Sequence, residues 1–548
     1  MIKKILRSRL LLNSEPSHSV ISAAFIITIA GLASRILGLV RDRFLASTFG
    51  AGDTLDIYYA AFRIPDLIYN FLILGALSAA FIPVFTGLIS KKKDKEAWNA
   101  ANGVMNLAIA FVIALSLIFC LFAPYLMKII TPGFPVEKMD QVVLFTRIMF
   151  LSPVFLGISG IFGGVLTSFK RFMIYSLAPI LYNLGIIFGV VFFVKFWGPI
   201  GLAWGVVLGA FLHMLIQYPA ARNLGFRHRF AFREYFINKD IRYILKLMIP
   251  RMMGIAVSQA NLFVITIFAS TLVAGSLSIF NFAQNLQSVP LGIFGVSFSI
   301  AAFPTLSALW ATNDKKKFAK TFAETFCQIM FFVIPLSIFI LLLRAQIVRV
   351  TLGAGKFDWE DTILTYECLK YFTLSLFAQS VVPLLTRSFY AIHNTRTPFY
   401  IAIFSEIINI IAVLLLIGKY EIQGLAMAFS LTSLIQMFLL FIALRSKFND
   451  LGDKKIVKSI GQIAFSAIFS GIGVQISKYV VASFVDMDTF LGVFAQLAIS
   501  GAIGIFIFLA LCHFLRLEEY QEFKKSLTKK IFKDKKAITE NTGEVSGV

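Results

Sequence analysis

The sequence predicts an all-α polytopic membrane protein with about 14 transmembrane helices. They form two six-helix lobes related by a pseudo-two-fold axis along the membrane normal, plus two extra C-terminal helices. Three observations predict this. Apolar runs of spanning length recur along the whole chain. Basic residues gather in alternate connecting loops. The first twelve runs repeat at a distance of about 220 residues.

The runs come first. Of 548 residues, 58% are hydrophobic and only 15% charged, at a mean hydropathy of +0.82. A soluble chain of that length needs far more polar surface. A helix that crosses a bilayer needs about 20 apolar residues. Such runs fall near 20–48, 54–89, 97–127, 140–168, 173–194, 200–221, 243–271, 276–310, 319–343, 363–386, 398–418, 422–444, 457–477 and 489–515. The longest must tilt or end in the interface.

The loops give orientation. With the N-terminus inside, the leader, the even-numbered loops and the tail hold 35 Lys/Arg, the outside loops hold 8, and 8 lie within spans. That asymmetry predicts cytoplasmic N- and C-termini. It also accounts for the net charge of +22 without nucleic acid. The resulting organisation is a cytoplasmic leader (1–19), an N-lobe of spans 1–6 (20–221), a basic cytoplasmic linker (222–242), a C-lobe of spans 7–12 (243–444), spans 13 and 14 (445–515) and a basic cytoplasmic tail (516–548). The apolar stretch of the leader is too short for a signal peptide. The tail segment FKKSLTKKIFKDKK (523–536) reads as a solvated end that can also meet anionic lipid head groups.

The repeat supplies the symmetry. LAPILYNLG (177–185) corresponds to IFSEIINII (403–411), so that Asn183 and Asn409 both sit mid-span; IGLAW (200–204) corresponds to QGLAM (423–427), and GALSAAFIP (75–83) to GVSFSIAAFP (295–304). Six spans per copy is an even number, so both copies have the same orientation. Two parallel lobes with a cavity between them suit alternating access. Catalysis has no comparable support. Walker, HExxH and GxSxG motifs are absent, Cys120, Cys327, Cys368 and Cys512 form no CxxC, and the five histidines lack ligand spacing. No metal or cofactor is expected.

Charges inside the spans point to the site. An isolated charge at the bilayer centre costs about 2.5–3.5 kcal/mol on insertion scales, so such groups face protein or a wet cavity. In SRILGLVRDRF (34–44), Arg35 and Asp42 are seven residues apart on one helix face, with Arg41 beside it. On span 2, Asp56 and Arg63 are also seven apart, and Asp66 lies within pairing distance of Arg63. Pro65 disturbs the helix there. Glu367 and Lys370 read as a structural pair, and Arg43, Arg147 and Lys246 as residues reaching for an interface. Glu406, alone in YIAIFSEIINII, is a candidate site for a proton or cation. Surplus arginine suits an anionic, phosphate-bearing substrate, and the membrane setting suits a lipid-linked one.

SRILGLVRD (34–42), FGAGDTLDIYYAAFRIPDL (49–67), GALSAAFIPVF (75–85), SLAPILYNLGIIFG (176–189), GLAWGVVLGAFLHMLIQ (201–217), SQANLFVITIFAS (258–270) and SFYAIHNTRTPF (388–399) together resemble the MurJ (MviN) lipid II flippase family of the multidrug/oligosaccharidyl-lipid/polysaccharide (MOP) exporter superfamily. The resemblance implies movement of lipid II, the undecaprenyl-pyrophosphate-linked peptidoglycan precursor, from the inner to the outer leaflet of a bacterial plasma membrane. It implies a cationic cavity for the head group, formed by Arg35, Arg41, Asp42, Asp56 and Arg63, and a groove for the lipid tail on spans 13 and 14. Membrane potential, sodium and protons are the open candidates for the driving force; membrane lipids and cell-wall synthesis enzymes are the expected partners. The chain departs from the family pattern in several places. Ile68, Tyr69 and Asn70 follow IPDL where arginine is usual, and Leu74 stands where a glutamate is frequent. Gln284 and Asn285 replace an Asp-Arg pair in span 8, and Ile265 stands where some members carry a sodium-linked acid. Arg251, just after Pro250, is a candidate to supply the missing C-lobe charge. The alternatives are an exporter of another polyprenyl-linked oligosaccharide or of drugs, and a non-transporting cell-wall scaffold.

Overall fold

The computed structural model describes residues 20–71, 81–229, 259–448 and 450–525, with side chains described from Ile29 onward. The leader, Arg251, Lys246, most of the basic linker and most of the tail lie outside the described residues. Every described element is a helix, and among the described residues there is no strand.

In chain order the helices are α1 (Val20–Phe49), α2 (Asp53–Ala61), α3 (Arg63–Asn70), α4 (Ile82–Ser90), α5 (Asp94–Ile130), α6 (Val136–Met149), α7 (Leu151–Ser168), α8 (Phe172–Phe188) and α9 (Gly201–Asn223). They continue with α10 (Gln259–Ala269), α11 (Ser276–Pro290), α12 (Ser297–Ala311), α13 (Lys315–Leu342), α14 (Arg344–Thr351), α15 (Trp359–Leu374), α16 (Leu376–Ala391), α17 (Arg396–Arg445), α18 (Asp453–Ala482) and α19 (Phe490–Phe514). Among the described residues, eight helical stretches are long and apolar enough to cross a membrane, or nine if α15 and α16, bent by 47°, form one span. Two of the eight are double length: Phe172–Asn223 has 52 residues and Arg396–Arg445 has 50.

Local chemistry explains both. Between α8 and α9 the chain passes through a five-residue π-helical stretch, Gly189–Phe193, and a 3-10 turn at Gly198–Ile200. There Gly198 has φ +64°, and Pro199 contributes no N–H. The two helices then pack on one another through glycines at four-residue spacing. A Cβ on Gly185 would run into the backbone of Gly209, and one on Gly189 into Gly205. This is the close approach that small residues permit in membrane bundles. In α17 the break is at Glu421, whose φ of 48° is costly for a side-chain-bearing residue; a Cβ on Gly424 just after it would lie 2.8 Å from the Leu416 carbonyl oxygen. Span 2 is interrupted too. α2 stops at Ala61 and α3 starts at Arg63, two residues before Pro65 removes a backbone donor.

The described residues fall into two compact units. The first lies within Met1–Asn285, Thr351–Thr365 and Glu406–Leu425. In it α8 packs on α1 and α9, α9 on α7, α7 on α5, and α2 on α6. The second lies within Leu286–Val350, Tyr366–Ser405 and Ala426–Val548. Its core is aromatic and aliphatic, with Phe318, Phe322, Cys327, Leu384 and Phe389 fully buried. Here α13 packs on α18, and α18 on α19. The outer faces of α18 and α19 are apolar and open: Ile476, Tyr479, Leu491 and Phe506 are all exposed, as a lipid-facing surface requires.

The glycine seam yields a test. Gly209→Leu places a branched side chain where a Cβ would already be 2.5 Å from the Tyr182 carbonyl oxygen. We expect it to cost about 3 kcal/mol or more, beyond ordinary overpacking because backbone blocks the way. Gly501→Leu in α19, with nothing within 4 Å, leaves the thermal midpoint of the purified protein unchanged.

Candidate functional site

The charges of spans 1 and 2 are not scattered in lipid. Asp42, Arg63 and Asp56 each anchor a hydrogen-bonded group within the first unit. The first centres on Asp42 in α1, which is 1% exposed. Arg41 donates from Nε and Nη2 to Asp42 Oδ1 at 3.0 and 2.7 Å. Asn285 of α11 donates to the other carboxylate oxygen at 2.9 Å. The third donor group of Arg41, Nη1, reaches Asn183 Oδ1 at 3.2 Å. Asn183 is fixed in turn by its own donation to the Pro179 carbonyl, one turn back on α8, at 3.1 Å. Arg41 keeps 21% of its side chain exposed, while Asp42 and Asn183 orient its guanidinium.

Arg63 at the start of α3 is 8% exposed. Its Nε donates to Thr266 Oγ1 of α10 at 2.6 Å and its Nη2 to Asn281 Oδ1 of α11 at 3.4 Å. Both partners are neutral. The expected pair with Asp66 does not form: Asp66 lies within electrostatic reach of Arg63 and Arg41, but neither guanidinium bonds it. Arg63 instead turns its donors to Thr266 of α10 and Asn281 of α11. Arg35 is half-buried, two turns before Asp42 on α1.

Asp56 belongs to a third group. It is 2% exposed and accepts from Ser278 N (2.9 Å), Ser278 Oγ (2.7 Å) and Gly275 N (2.8 Å). Lys138 at the start of α6 bonds it at 3.3 Å and Asp53 at 2.7 Å. The carboxylate thus caps the N-terminus of α11, where free N–H groups and the helix dipole favour an anion. The structure brings Asp56 together with Lys138 and not with the arginines of its own stripe. The role of Lys138 was hidden, because a basic residue between two apolar runs reads as a loop charge.

Glu406 is half-buried and has partners. Asn261 of α10 donates to it at 2.9 Å, and Asn409, one turn on, at 3.5 Å. Asn409 Oδ1 is buried with no hydrogen-bond partner among the described residues. Glu367 and Lys370 form the expected pair at 2.7 Å, joined by Arg344 at 3.4 Å. Arg147 is exposed and reaches the Cys120 carbonyl at 3.3 Å. Thr266, Asn281 and Asn261 were the residues that sequence reasoning missed; their one signal was polarity inside apolar runs. Among the described residues no cluster of His, Cys, Asp or Glu could hold a metal ion.

An all-helical bundle that buries oriented arginines within apolar spans has the architecture of a polytopic membrane transporter, and the fold is that of the MOP superfamily. A multidrug-resistance MATE-family transporter of that superfamily in an inward-facing conformation superposes with a TM-score of 0.66 at 14% identity, over 81% of this chain and 98% of that one. The lipid II flippase MurJ family model matches residues 45–495, and the chain belongs to that family. A solved lipid II flippase MurJ in an inward closed conformation gives a TM-score of 0.74 at 26% identity, covering 90% of this chain and 99% of that one. A probable lipid II flippase MurJ of Buchnera aphidicola subsp. Acyrthosiphon pisum is 31% identical over 418 residues, 76% of this chain and 81% of its own. That of Rickettsia prowazekii is 28% identical over 512 residues, 92% and 99% of the two chains. The protein is accordingly a multi-pass protein of the bacterial inner membrane, of a transporter rather than an enzyme family.

Proposed function

We propose that this protein moves lipid II from the inner to the outer leaflet by alternating access, for peptidoglycan synthesis. The observation that carries the reading is the orientation of Arg41. Asp42, itself held by Asn285, and Asn183 orient its guanidinium while 21% of the side chain stays exposed. A fixed fork of donors is what a diphosphate needs. Arg63, whose charge meets only neutral partners, adds a second cation, and Arg35 a third.

The finer topology is also a proposal. Fourteen spans follow if the two double-length stretches each count as two and the bent pair as one, with α1, the α2–α4 region and the α10 region as three more. Cytoplasmic termini, two pseudo-symmetric lobes and a lipid-tail groove on α18 and α19 complete the reading; the exposed apolar faces of those two helices support the last of these. Glu406 with Asn261 is the candidate coupling site for sodium or a proton, with membrane potential the alternative drive. Cell-wall synthesis enzymes remain the proposed partners.

The test is rescue of a bacterium depleted of its own flippase, together with an assay for lipid II exposed at the outer leaflet. The chain is expected to restore both. Well-expressed protein that restores neither would refute the reading. Asn285→Arg adds a prediction: a guanidinium at this position pairs with Asp42 and places another cation beside Arg41, so lipid II binding strengthens by about 3- to 10-fold. Equilibrium binding to the purified variant checks it.

A further inference from the structure

The acids of spans 1 and 2 are not used alike. Asp42 is saturated by Arg41 and Asn285. Asp56 accepts from Ser278, Gly275 and Lys138. Asp66 is different: its carboxylate has no hydrogen bond or ion pair among the described residues, and it is half-buried. Its nearest cations are engaged elsewhere, Arg41 with Asp42 and Asn183, and Arg63 with Thr266 and Asn281. Three tyrosines lie within electrostatic reach: Tyr58 on α2, which is fully buried, Tyr69 one turn further along α3, and Tyr182 on α8. Tyr69 and Tyr182 are half-buried, and Tyr182 neighbours the Asn183 that holds Arg41.

A bare carboxylate beside two phosphate-binding arginines works against them. It repels the diphosphate and weakens the field that attracts it. That penalty is offset only if the same ligand brings a positive group to the carboxylate. A carboxylate without a partner is a fitting receptor for an ammonium, which gains an ion pair there, and nearby tyrosines can add attraction for a cation.

We propose that Asp66, with Tyr69 and Tyr182, is a subsite for a primary amine carried by the substrate whose diphosphate meets Arg41 and Arg63. This rests on the flippase reading and sharpens it. The ligand class is a zwitterion: a lipid-linked glycopeptide with a diphosphate at one end and a free amine on a diamino acid of its peptide. Anions of similar size that lack the amine meet an unpaid repulsion, so the subsite selects as well as binds.

The experiment measures binding by the full chain in lipid nanodiscs. The two probes are lipid II with its free side-chain amine and the same lipid II N-acetylated at that amine. The parent protein is expected to prefer the free-amine form by about tenfold. Asp66→Asn, which removes no hydrogen bond of the fold, binds both forms alike, and Asp66→Glu retains the preference. Equal binding of both forms by the parent, or an undiminished preference in Asp66→Asn, overturns the subsite and leaves the flippase reading standing. Binding of neither form by the parent overturns both.

Discussion

Arg41→Ala is expected to abolish rescue of a flippase-depleted cell and to weaken lipid II binding by about 30-fold to several thousand-fold. Truncating one partner of a buried, hydrogen-bonded charge pair costs about 2–5 kcal/mol, and each 1.4 kcal/mol is a factor of ten. Two losses combine here. The ligand loses a cation, and Asp42, 1% exposed, loses both hydrogen bonds from Arg41 and keeps that from Asn285. An uncompensated carboxylate then faces the incoming diphosphate. Arg41→Lys separates the two effects. A lysine restores one bond to Asp42 and the charge, but not the fork that also reaches Asn183, so the fold recovers more than the binding does. Asp42→Asn combined with Arg41→Ala removes the stranded charge. If that double variant regains thermal stability but not lipid II binding, the guanidinium acts on substrate. If binding returns with stability, Arg41 is a structural residue and the proposed head-group site lies elsewhere.

Much of this site is legible in the chain as written, and the limits are physical. Charges in apolar runs have to be satisfied internally, so Arg41, Asp42, Arg63 and Glu406 stand out from composition alone. What periodicity cannot reveal is which helix answers them. Arg41 is held by Asn183, 142 positions away, and Glu406 by Asn261, 145 away. Spacing misled in one place for a clear reason. Seven residues put Asp56 and Arg63 on one face of a helix, but different neighbours answer them: Lys138 and the start of α11 take Asp56, and Thr266 and Asn281 take Arg63. The pair of Arg63 with Asp66 fails because those neutral acceptors take the guanidinium. Glycines were the reverse case. Gly185, Gly189, Gly205 and Gly209 stand at four-residue intervals in the text of the sequence, and the structure shows what that spacing accomplishes: a hairpin tight enough to look like one helix of 52 residues.

Asp56→Ala is expected to be the most destabilising single change in spans 1 and 2, costing about 3–5 kcal/mol, the range for breaking a buried ion pair by removing one partner. Lys138, with 9% of its side chain exposed, is left to Asp53, whose own side chain is 65% exposed and well hydrated. The backbone N–H groups of Gly275 and Ser278 lose their acceptor at the start of α11. Asp56→Asn is milder but not silent, because its one oxygen can serve Ser278 while its amide turns a donor towards Gly275 N–H. A double-mutant cycle with Lys138→Met identifies the cause. If the stranded ammonium dominates, Asp56→Ala with Lys138→Met is less destabilised than the sum of the single variants; if the helix cap dominates, the two add. Purified proteins followed by thermal unfolding give the answer. Transport is expected to fail as well. Asp56 in span 2 and Ser278 in span 8 belong to different lobes of the proposed cycle; if those lobes rock, this contact breaks and re-forms. Its four bonds to one buried carboxylate then favour the state that holds them. Ser278→Ala, which withdraws one of the four, should therefore shift the balance between states while leaving the protein folded, and accessibility of a cysteine placed at the exposed Val136 to a membrane-impermeant thiol reagent would report it.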